Sequence, residues 1–383
     1  MTRIAKLPPY LFAEIDAARR QAEAAGRDVV DLGVGDPDRP TPEPLVAAMA
    51  AAIRRPEHHR YPSYAGSPWL RAAVSDWLRR RHGASVDPDR QVIALIGSKE
   101  GLGHLPLALL EEGDEVLVPD PGYPVYAQST LLAGGRPVQY ALARERDFLP
   151  DWDRLGELVT PRTRLLVLNY PHNPTGAAAG AAELRRALDF AARHGIALAQ
   201  DAAYLEVAFG GARPPSLLAI ADPARDRVIE LHSLSKTFNM TGWRIGFAAG
   251  HPDLIRDLGR VKSSLDSGAF GAIQEVAVVA LGERFEELLA GVLAPYAARR
   301  TALTDAFAAA GVEVFPAQAT FYVWARVPGG GGSLAFCRRV LEELGVVLAP
   351  GVGFGAAGEG WFRASLTAPD ERVAEAARRL RRL

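Results

Sequence analysis

The sequence Arg-Val-Ile-Glu-Leu-His-Ser-Leu-Ser-Lys-Thr-Phe-Asn-Met-Thr-Gly-Trp-Arg, residues 227–244, joins an apolar strand pattern to a polar turn. Its first five residues predict a short buried strand. Lys236 follows between Ser235 and Thr237, and Arg244 stands eight residues further on. An amine among hydroxyl groups, with a guanidinium nearby, has the means to form a Schiff base with an aldehyde and to hold a phosphate.

Lysine Schiff bases are the chemistry of pyridoxal phosphate (PLP), so this stretch predicts a PLP site. A solvated loop lysine is the alternative interpretation of Lys236. Phe238, Met240 and Trp243 are close in sequence and favour a partly buried setting, in which the pKa of an amine falls. We therefore take Lys236 as the reactive group and Arg244 as a phosphate ligand.

Four other apolar runs also end in polar loops. Residues 91–96 lead into the loop 97–100, residues 115–118 into 120–123, residues 164–168 into 169–176, and residues 196–199 into Asp201. Strand patterns that alternate with Ala/Leu/Arg-rich helical patterns predict βαβ units and a mostly parallel sheet. Ligands bind outside the carboxyl ends of the strands in such sheets, so five strand ends predict one shared site.

The pattern changes near residue 275. Helical patterns follow at 274–289 and 293–310, and strand-like runs follow at 319–324 and 361–366. We therefore expect an α/β protein of two domains. The large domain, residues 41–274, is expected to hold a mostly parallel mixed sheet between helices. Residues 275–383 are expected to form a smaller α+β domain, to which residues 1–40 contribute an N-terminal arm.

Composition excludes several classes of protein. Of 383 residues, 48% are hydrophobic and 23% charged, which is typical of an ordered globular chain. The 44 basic residues nearly balance the 45 acidic ones, so we expect neither nucleic acid nor a membrane as a partner. Cys337 alone forms no internal disulfide, and no signal peptide is recognisable, so a cytoplasmic location is expected. The eight histidines lack metal-ligand spacing, and no metal is expected.

Several strand-end residues have two interpretations each. Ser98 opens a helical pattern, where it binds a phosphate or merely caps the helix. Asp201 pairs with a pyridine nitrogen or caps a helix, and Tyr204 is in reach of the same ring. Asn173 and Tyr123 lie in proline-containing turns and either face the ligand or only shape the chain. Arg363, in an apolar run, needs a substrate carboxylate or a structural Asp or Glu if it is buried.

Taken together, the motifs resemble those of the class I/II aminotransferases of PLP fold type I. The matching residues, in the order of that family, are Asn173-Pro174-Thr175-Gly176, Asp201-x-x-Tyr204, Ser233-x-Ser235-Lys236, Arg244 and Arg363. Within the family, the chain is similar to the LL-diaminopimelate aminotransferases at residues 7–15, 61–66, 96–101 and 120–126. Some members place an asparagine of the neighbouring subunit near the substrate, whereas residues 267–271 contain none here.

The resemblance implies a homodimer with shared active sites, in which Tyr61 reaches the cofactor phosphate of the other subunit. It also implies a role for each remaining site residue. Lys236 is the catalytic residue; Ser98, Lys99, Ser233, Ser235 and Arg244 surround the phosphate; Tyr123 stacks on the pyridine ring; Asn173 and Tyr204 bind its phenolic oxygen; Asp201 binds its nitrogen; Tyr10, Gly35, Lys99 and Asn173 lie near the substrate; and Arg363 grips the α-carboxylate.

The reaction expected from this resemblance is a ping-pong transfer of an amino group from an amino acid to a 2-oxo acid, with LL-diaminopimelate and 2-oxoglutarate as the expected pair. Tyr10, Lys99 and Glu100 are available for the distal end of that substrate. Alanine or aspartate aminotransferase activity and a PLP-dependent β-eliminating lyase are the alternatives, because the cofactor does much of the chemistry. A transcriptional regulator is disfavoured, since only about 40 residues precede the core.

Overall fold

The structure is a computed structural model that describes residues 3–7 and 12–383, without the side chains of residues 12–14. The strands are β1 Val30–Asp31, β2 Val92–Leu95, β3 Glu115–Asp120, β4 Arg136–Ala141, β5 Thr163–Asn169, β6 Ala197–Asp201, β7 Val228–Ser233, β8 Gly246–Gly250, β9 Tyr322–Arg326, β10 Val346–Val347, β11 Ala349–Pro350 and β12 Trp361–Ser365.

The α-helices connect and cover these strands. They are α1 Phe12–Ala24, α2 Glu43–Ala52, α3 Pro68–His82, α4 Ser98–Leu109, α5 Val125–Leu132, α6 Trp152–Glu157, α7 Ala181–His194, α8 Leu234–Thr237, α9 Pro252–Leu265, α10 Gly271–Ala280, α11 Phe285–Ala309, α12 Ser333–Leu344 and α13 Asp370–Leu380. No helix in the described residues is both long and apolar enough to cross a membrane.

Seven strands form the central sheet, in the order β2-β8-β7-β6-β5-β3-β4. β8 pairs antiparallel with both β2 and β7, and the remaining pairs are parallel. β2 therefore points the same way as β7. The carboxyl ends of the five strands predicted from sequence thus lie along one edge, which confirms the expected mostly parallel mixed sheet.

Apolar side chains cover both faces of this sheet. In β5, Leu166 and Leu168 belong to the core under α3 and α7, whereas Leu165 and Val167 belong to the core under α4 and α9. This alternation follows from the period of two residues in a strand. Burial on both faces explains why the strands are continuously apolar in sequence, and it places helices on each side.

Two strands of the central sheet are not evident from the sequence. β4 is an edge strand with several exposed positions, so its composition is mixed. β8, Gly-Phe-Ala-Ala-Gly, is rich in small residues because its backbone lies close to its neighbours. A Cβ on Gly250 would come within 2.1 Å of the Val228 carbonyl oxygen. Small residues at such a contact conceal the apolar pattern that usually marks a strand.

The remaining strands form two small sheets. β1 pairs with β10, and β11, β12 and β9 form an antiparallel sheet. A separate apolar core joins β1, β9, β10 and β12 to α1, α11, α12 and α13. Residues from both ends of the chain therefore share one core. The domain limits at residues 40 and 274 stay a prediction.

The helical pattern after residue 270 differs from the expected one. The predicted helix over 274–289 is wrong, because α10 ends at Ala280 and α11 begins at Phe285. α11 then runs through Pro295, which is buried. A proline inside a helix removes one backbone hydrogen bond, yet the packing of one apolar face along 25 residues maintains the helix.

A buried cation on α11 links the N-terminal segment to the last helix. Arg299 is 3% exposed and donates to both carboxylate oxygens of Asp38, at 2.6 and 2.9 Å. It also donates to Asp370 at 2.6 Å and to the Leu366 carbonyl at 2.8 Å. Removing this guanidinium leaves the Asp38 carboxylate and the Leu366 carbonyl without it, while Asp370 keeps its exposed pair with Arg39.

We expect Arg299→Met to lower the free energy of unfolding by about 2–4 kcal/mol, because Asp38 keeps its charge in a mostly buried position. Denaturant unfolding followed by circular dichroism measures the loss. Arg284→Met is the matched control. It removes an exposed pair with Glu287 at the start of α11 and should leave the free energy of unfolding nearly unchanged. Equal effects of the two substitutions would contradict the structural role of Arg299.

Candidate active site

A cleft of about 420 Å³ opens at the carboxyl ends of the central strands, beside the small sheets. Most residues predicted for the site line it. These are Gly35, Ser98, Lys99, Tyr123, Asn173, Asp201, Tyr204, Ser233, Ser235, Lys236, Arg244 and Arg363. Tyr61 is absent from the lining and is 90% exposed. Tyr10 lies outside the described residues.

Lys236 lies at the centre of the cleft, directly after β7. α8 carries it, and its Nζ donates to the Gly35 carbonyl oxygen at 3.1 Å. Burial lowers the pKa of Lys236 to about 8. The nearby Asp36 raises this pKa, while Arg363 and Arg244 lower it. An amine with this pKa is neutral in a useful fraction of molecules near neutral pH, as a nucleophile or proton carrier must be.

One end of the cleft is rich in hydroxyl groups and positive charge. Gly97, with φ of 77°, turns the chain from β2 into α4, so that Ser98 and the first amide groups of that helix face the cleft. A Cβ on Gly97 would lie 2.5 Å from Nη2 of Arg244. Ser233 and Ser235 line the same cleft, and the Ser233 Oγ accepts a bond from the Ser235 amide at 3.2 Å. This arrangement suits a phosphate group.

A buried carboxylate occupies another part of the cleft. Asp201 ends β6 and accepts the Tyr126 hydroxyl at 2.7 Å and the Ala203 amide at 3.2 Å. Burial raises the pKa of Asp201, and these two donors oppose that rise. Burial also holds the pKa of Tyr126 well above its ordinary value, so the phenol remains a donor. The carboxylate is thereby prepared for a cationic partner such as a protonated ring nitrogen.

Tyr126 was not singled out from the sequence as a site residue. It lies three residues after Tyr123 in the turn that starts α5, and the two rings meet edge to face at 5.8 Å. The Tyr126 amide donates to the Tyr123 carbonyl at 3.2 Å across this turn. This spacing is the one sequence signal that places Tyr126 behind the predicted stacking residue.

Arg363, on β12, reaches across from the small sheet to the strand ends. Its Nη1 donates to Oδ1 of Asn173 and its Nη2 to the Gly33 carbonyl oxygen, each at 2.8 Å. The guanidinium lies 4.0 Å from the Tyr322 ring centroid and 4.7 Å from that of Phe354. In the described part of the chain its hydrogen-bond partners are uncharged, and its Nε is buried without one. This geometry favours an external carboxylate over a structural Asp or Glu.

A pair of tyrosines closes the cleft beside Arg363. The hydroxyls of Tyr204 and Tyr322 are 2.9 Å apart, and both side chains are buried. A Cβ on Gly35 would lie 2.0 Å from the Tyr322 hydroxyl, so the absence of a side chain at Gly35 lets the N-terminal segment approach. Tyr322 was predicted only as part of a strand. Nothing in the sequence distinguishes it from a core tyrosine.

Lys99 and its neighbour Glu100 point in different directions. The Lys99 amine lies 5.9 Å from the Tyr123 ring centroid and lines the cleft. Glu100 is absent from the lining and binds Lys262 instead, at 2.8 Å. The suggestion that Glu100 binds the distal end of a substrate is therefore wrong. Successive residues of a helix lie about 100° apart, which separates the two side chains.

With this geometry in place, the class of protein is clear: the chain belongs to the aminotransferase class I and II family, whose model matches residues 27–380. It is 47% identical over 381 residues to the LL-diaminopimelate aminotransferase of Aquifex aeolicus, covering 100% of this chain and 98% of that protein. It is 48% identical over 379 residues to that of Desulforudis audaxviator, covering 99% and 96%. The predicted resemblance is confirmed.

Solved structures agree with this assignment. A single mutant of Thermus thermophilus aspartate aminotransferase superposes with a TM-score of 0.93 at 30% identity, covering 100% of this chain and 98% of that one. The predicted fold type I architecture is therefore confirmed. The protein is an enzyme of the transaminase class, and its cofactor is PLP.

The residues of the cleft fit PLP. A hydroxyl-rich, basic end suits the phosphate, and the buried carboxylate of Asp201 suits the ring nitrogen. Lys236 lines the same cleft and has a lowered pKa. The unpartnered Nε of Arg363 leaves donor capacity for a substrate anion.

With Lys236 as the predicted nucleophile, the rate at which the cofactor-free protein reacts with PLP should rise with pH and reach half its maximum near pH 8, where half of this amine is neutral. Stopped-flow absorbance measures this rate. Arg363→Gln removes a cation that lowers the pKa of Lys236, so its profile should move to higher pH. A midpoint near 10.5, the ordinary lysine value, would show that burial does not act on this amine.

Proposed function

We propose that this protein transfers the amino group of LL-diaminopimelate to 2-oxoglutarate, a step of lysine biosynthesis. The observation that carries this proposal is the identity of 46–48% over nearly the whole chain to relatives that bear the name LL-diaminopimelate aminotransferase. The similarity to aspartate aminotransferase is lower, at 30%. It favours aspartate as the second candidate substrate.

We propose that Lys236 is the catalytic residue. PLP, when bound, supplies an electron sink that makes the α-proton of the attached amino acid acidic. The Nζ of Lys236 would then take that proton from the α-carbon and donate it to carbon C4′ of the cofactor. Its pKa of about 8 suits both directions of transfer, because neither its neutral nor its charged form is rare near neutral pH.

The other cleft residues would hold the reactants in place. Arg363 would bind the α-carboxylate through its planar fork, exchanging the uncharged Gly33 and Asn173 oxygens for a charged partner. Asp201, with Tyr126 behind it, would keep the ring nitrogen protonated. Ser98, Lys99, Ser233, Ser235 and Arg244 would surround the phosphate, Tyr123 would stack on the ring, and Asn173 and Tyr204 would bind its phenolic oxygen.

The lining of the cleft includes charges of both signs. Asp16 and Asp31 line it together with Lys99 and Gln128. The distal end of LL-diaminopimelate carries an ammonium and a carboxylate, so it needs acceptors and donors side by side. A cleft with this lining supports diaminopimelate over alanine, which has no distal group to satisfy these charges.

We further propose a cytoplasmic homodimer in which Tyr61 reaches the cofactor phosphate of the partner subunit. Support comes from the exposure of Tyr61 and from large apolar side chains near it, since Tyr64 is 49% and Trp69 41% exposed. Exposed aromatic residues in one region are typical of an interface. The single buried Cys337 is consistent with a reducing compartment.

A survey of half-reactions tests the substrate. The PLP-loaded protein is mixed with one amino acid at a time, without an oxo acid, and the cofactor absorbance is followed. We expect LL-diaminopimelate to react at least about tenfold more efficiently than alanine or aspartate, because neither shorter substrate offers both an ammonium and a carboxylate to the charged groups of the cleft. No response to LL-diaminopimelate would refute the proposal. Pyruvate and ammonia formed without an acceptor would indicate the lyase instead.

Two substitutions test the proposed roles. Lys236→Ala should lower kcat at least about 100-fold, because the proton carrier is lost. Arg363→Lys should lower kcat/KM about 10- to 100-fold for every amino acid, since a lysine lacks the bidentate fork. Arg256→Met, on an exposed part of α9, is the control and should leave both values unchanged. Full turnover by Lys236→Ala would rule out its catalytic role.

A further inference from the structure

Lys262, on α9, is a fully buried lysine outside the cleft. Its side chain is 0% exposed, and its Nζ lies 2.8 Å from Oε2 of Glu100 and 3.1 Å from Oδ2 of Asp266. A buried ammonium is costly unless it is paired, so these two carboxylates are needed to keep it there. The pairing joins α9 to the first turn of α4.

Glu100 brings this cluster into contact with the proposed phosphate end of the cleft. Its Oε2 also accepts the backbone amide of Ile96 at 3.0 Å, and Ile96 directly precedes the Gly97 turn and Ser98. Although burial raises the pKa of Glu100, its contacts with His104 and Lys262 and the Ile96 amide keep that pKa below the ordinary value. A negative charge is thus fixed beside the loop that is proposed to hold a phosphate.

This charge opposes the binding of an anion. The start of a helix attracts phosphate through its free amide groups, but a carboxylate in the same turn weakens that attraction. Lys262 lies against the carboxylate and cancels its charge locally. Glu100 can then order the loop through the Ile96 amide without repelling the phosphate.

Lys262 also stabilises a second segment, through Asp266. The Oδ1 of Asp266 accepts the Gly268 amide at 2.7 Å. Gly268 lies against the chain beside Tyr61, since a Cβ there would come 2.7 Å from the Ser63 carbonyl oxygen. One ammonium therefore links the proposed phosphate loop to the region that carries Tyr61.

A metal ion is the other cation that such a cluster could hold. Ligand atoms of Glu100, His104 and Asp266 all lie within 4.8 Å of one another. The Lys262 ammonium already contacts both carboxylates, and the Nδ1 of His104 lies 2.6 Å from Oε1 of Glu100. Lysine itself thus supplies the positive charge at this position.

We propose that Lys262 is a positioning residue for phosphate binding: it neutralises Glu100 so that the loop over residues 96–98 is both ordered and attractive to the cofactor phosphate. The inference rests on the role proposed above for Ser98 and Arg244, and it does not depend on which amino acid is the substrate. Lys262 acts through Glu100 and does not itself touch the cleft.

The test compares Lys262→Met with the double variant Lys262→Met/Glu100→Gln. Cofactor-free protein is titrated with PLP, with pyridoxal, which lacks the phosphate, and with inorganic phosphate. We expect Lys262→Met to weaken PLP and phosphate binding about tenfold, because one uncompensated charge remains near the anion. Pyridoxal binding should change less than about twofold. The double variant should recover most of the loss, since it removes the uncompensated Glu100 charge as well.

Arg256→Met is the matched control on the same helix, where its exposed pairs with Asp253 and Asp257 are far less constrained. It should leave all three affinities unchanged. If Lys262 had only a general structural role, Lys262→Met would weaken the binding of PLP and of pyridoxal equally. It would also lower the melting temperature, and the double variant would not recover. This outcome would overturn the proposal.

If Lys262→Met does not fold, Lys262→Arg and Glu100→Gln replace it. Lys262→Arg keeps the charge and should bind phosphate within about threefold of the parent. Glu100→Gln should bind it at least as tightly as the parent, and weaker binding would overturn the proposal. A parent protein that binds PLP no more tightly than pyridoxal would refute the phosphate site itself, whereas a failed half-reaction with LL-diaminopimelate would refute only the proposed substrate.

Discussion

The shared direction of five strands is the constraint on which the active site depends. Because β2, β3, β5, β6 and β7 all end at one edge of the central sheet, residues that are far apart in sequence meet in one cleft. The sheet is buried on both faces, so this edge is the place where polar side chains can gather without disturbing a core. The small sheets then close the cleft and contribute Arg363 and Tyr322 from the opposite side.

Burial at this edge acts on basic and acidic groups in opposite directions. It lowers the pKa of Lys236 and raises that of Asp201, since it disfavours the charged form of each. The Tyr126 hydroxyl opposes the rise in the pKa of Asp201, and Asp36 opposes the fall in that of Lys236, while Arg363 and Arg244 add to that fall. The same environment can therefore keep the Asp201 carboxylate available for a ring nitrogen while it favours the neutral amine of Lys236.

Several of the residues predicted from the sequence lie at or just after the end of an apolar run, as Asp201 and Lys236 do, whereas Arg363 lies within one. Position along a strand can be recognised from the local sequence. The convergence of strand ends then follows from the rule that ligands bind outside the carboxyl ends of parallel strands. Tyr322 and Tyr126 were missed because their importance comes from neighbours distant in sequence. Glu100 was misjudged since the sequence does not reveal which way a side chain points when a buried lysine competes for it. The small-residue strand β8 escaped notice because close backbone contact leaves no apolar signature.

Three consecutive carbonyl groups at residues 33–35 are held by side chains from elsewhere: Arg363 binds the first, Thr367 the second at 3.0 Å, and Lys236 the third. Two of these three donors are the residues proposed to perform the chemistry. Both residues therefore hold the N-terminal segment with the same groups that are proposed to meet the reactants. Reactant binding would compete with these two hydrogen bonds, whereas Thr367 and Arg299 would still hold the segment at Val34 and Asp38.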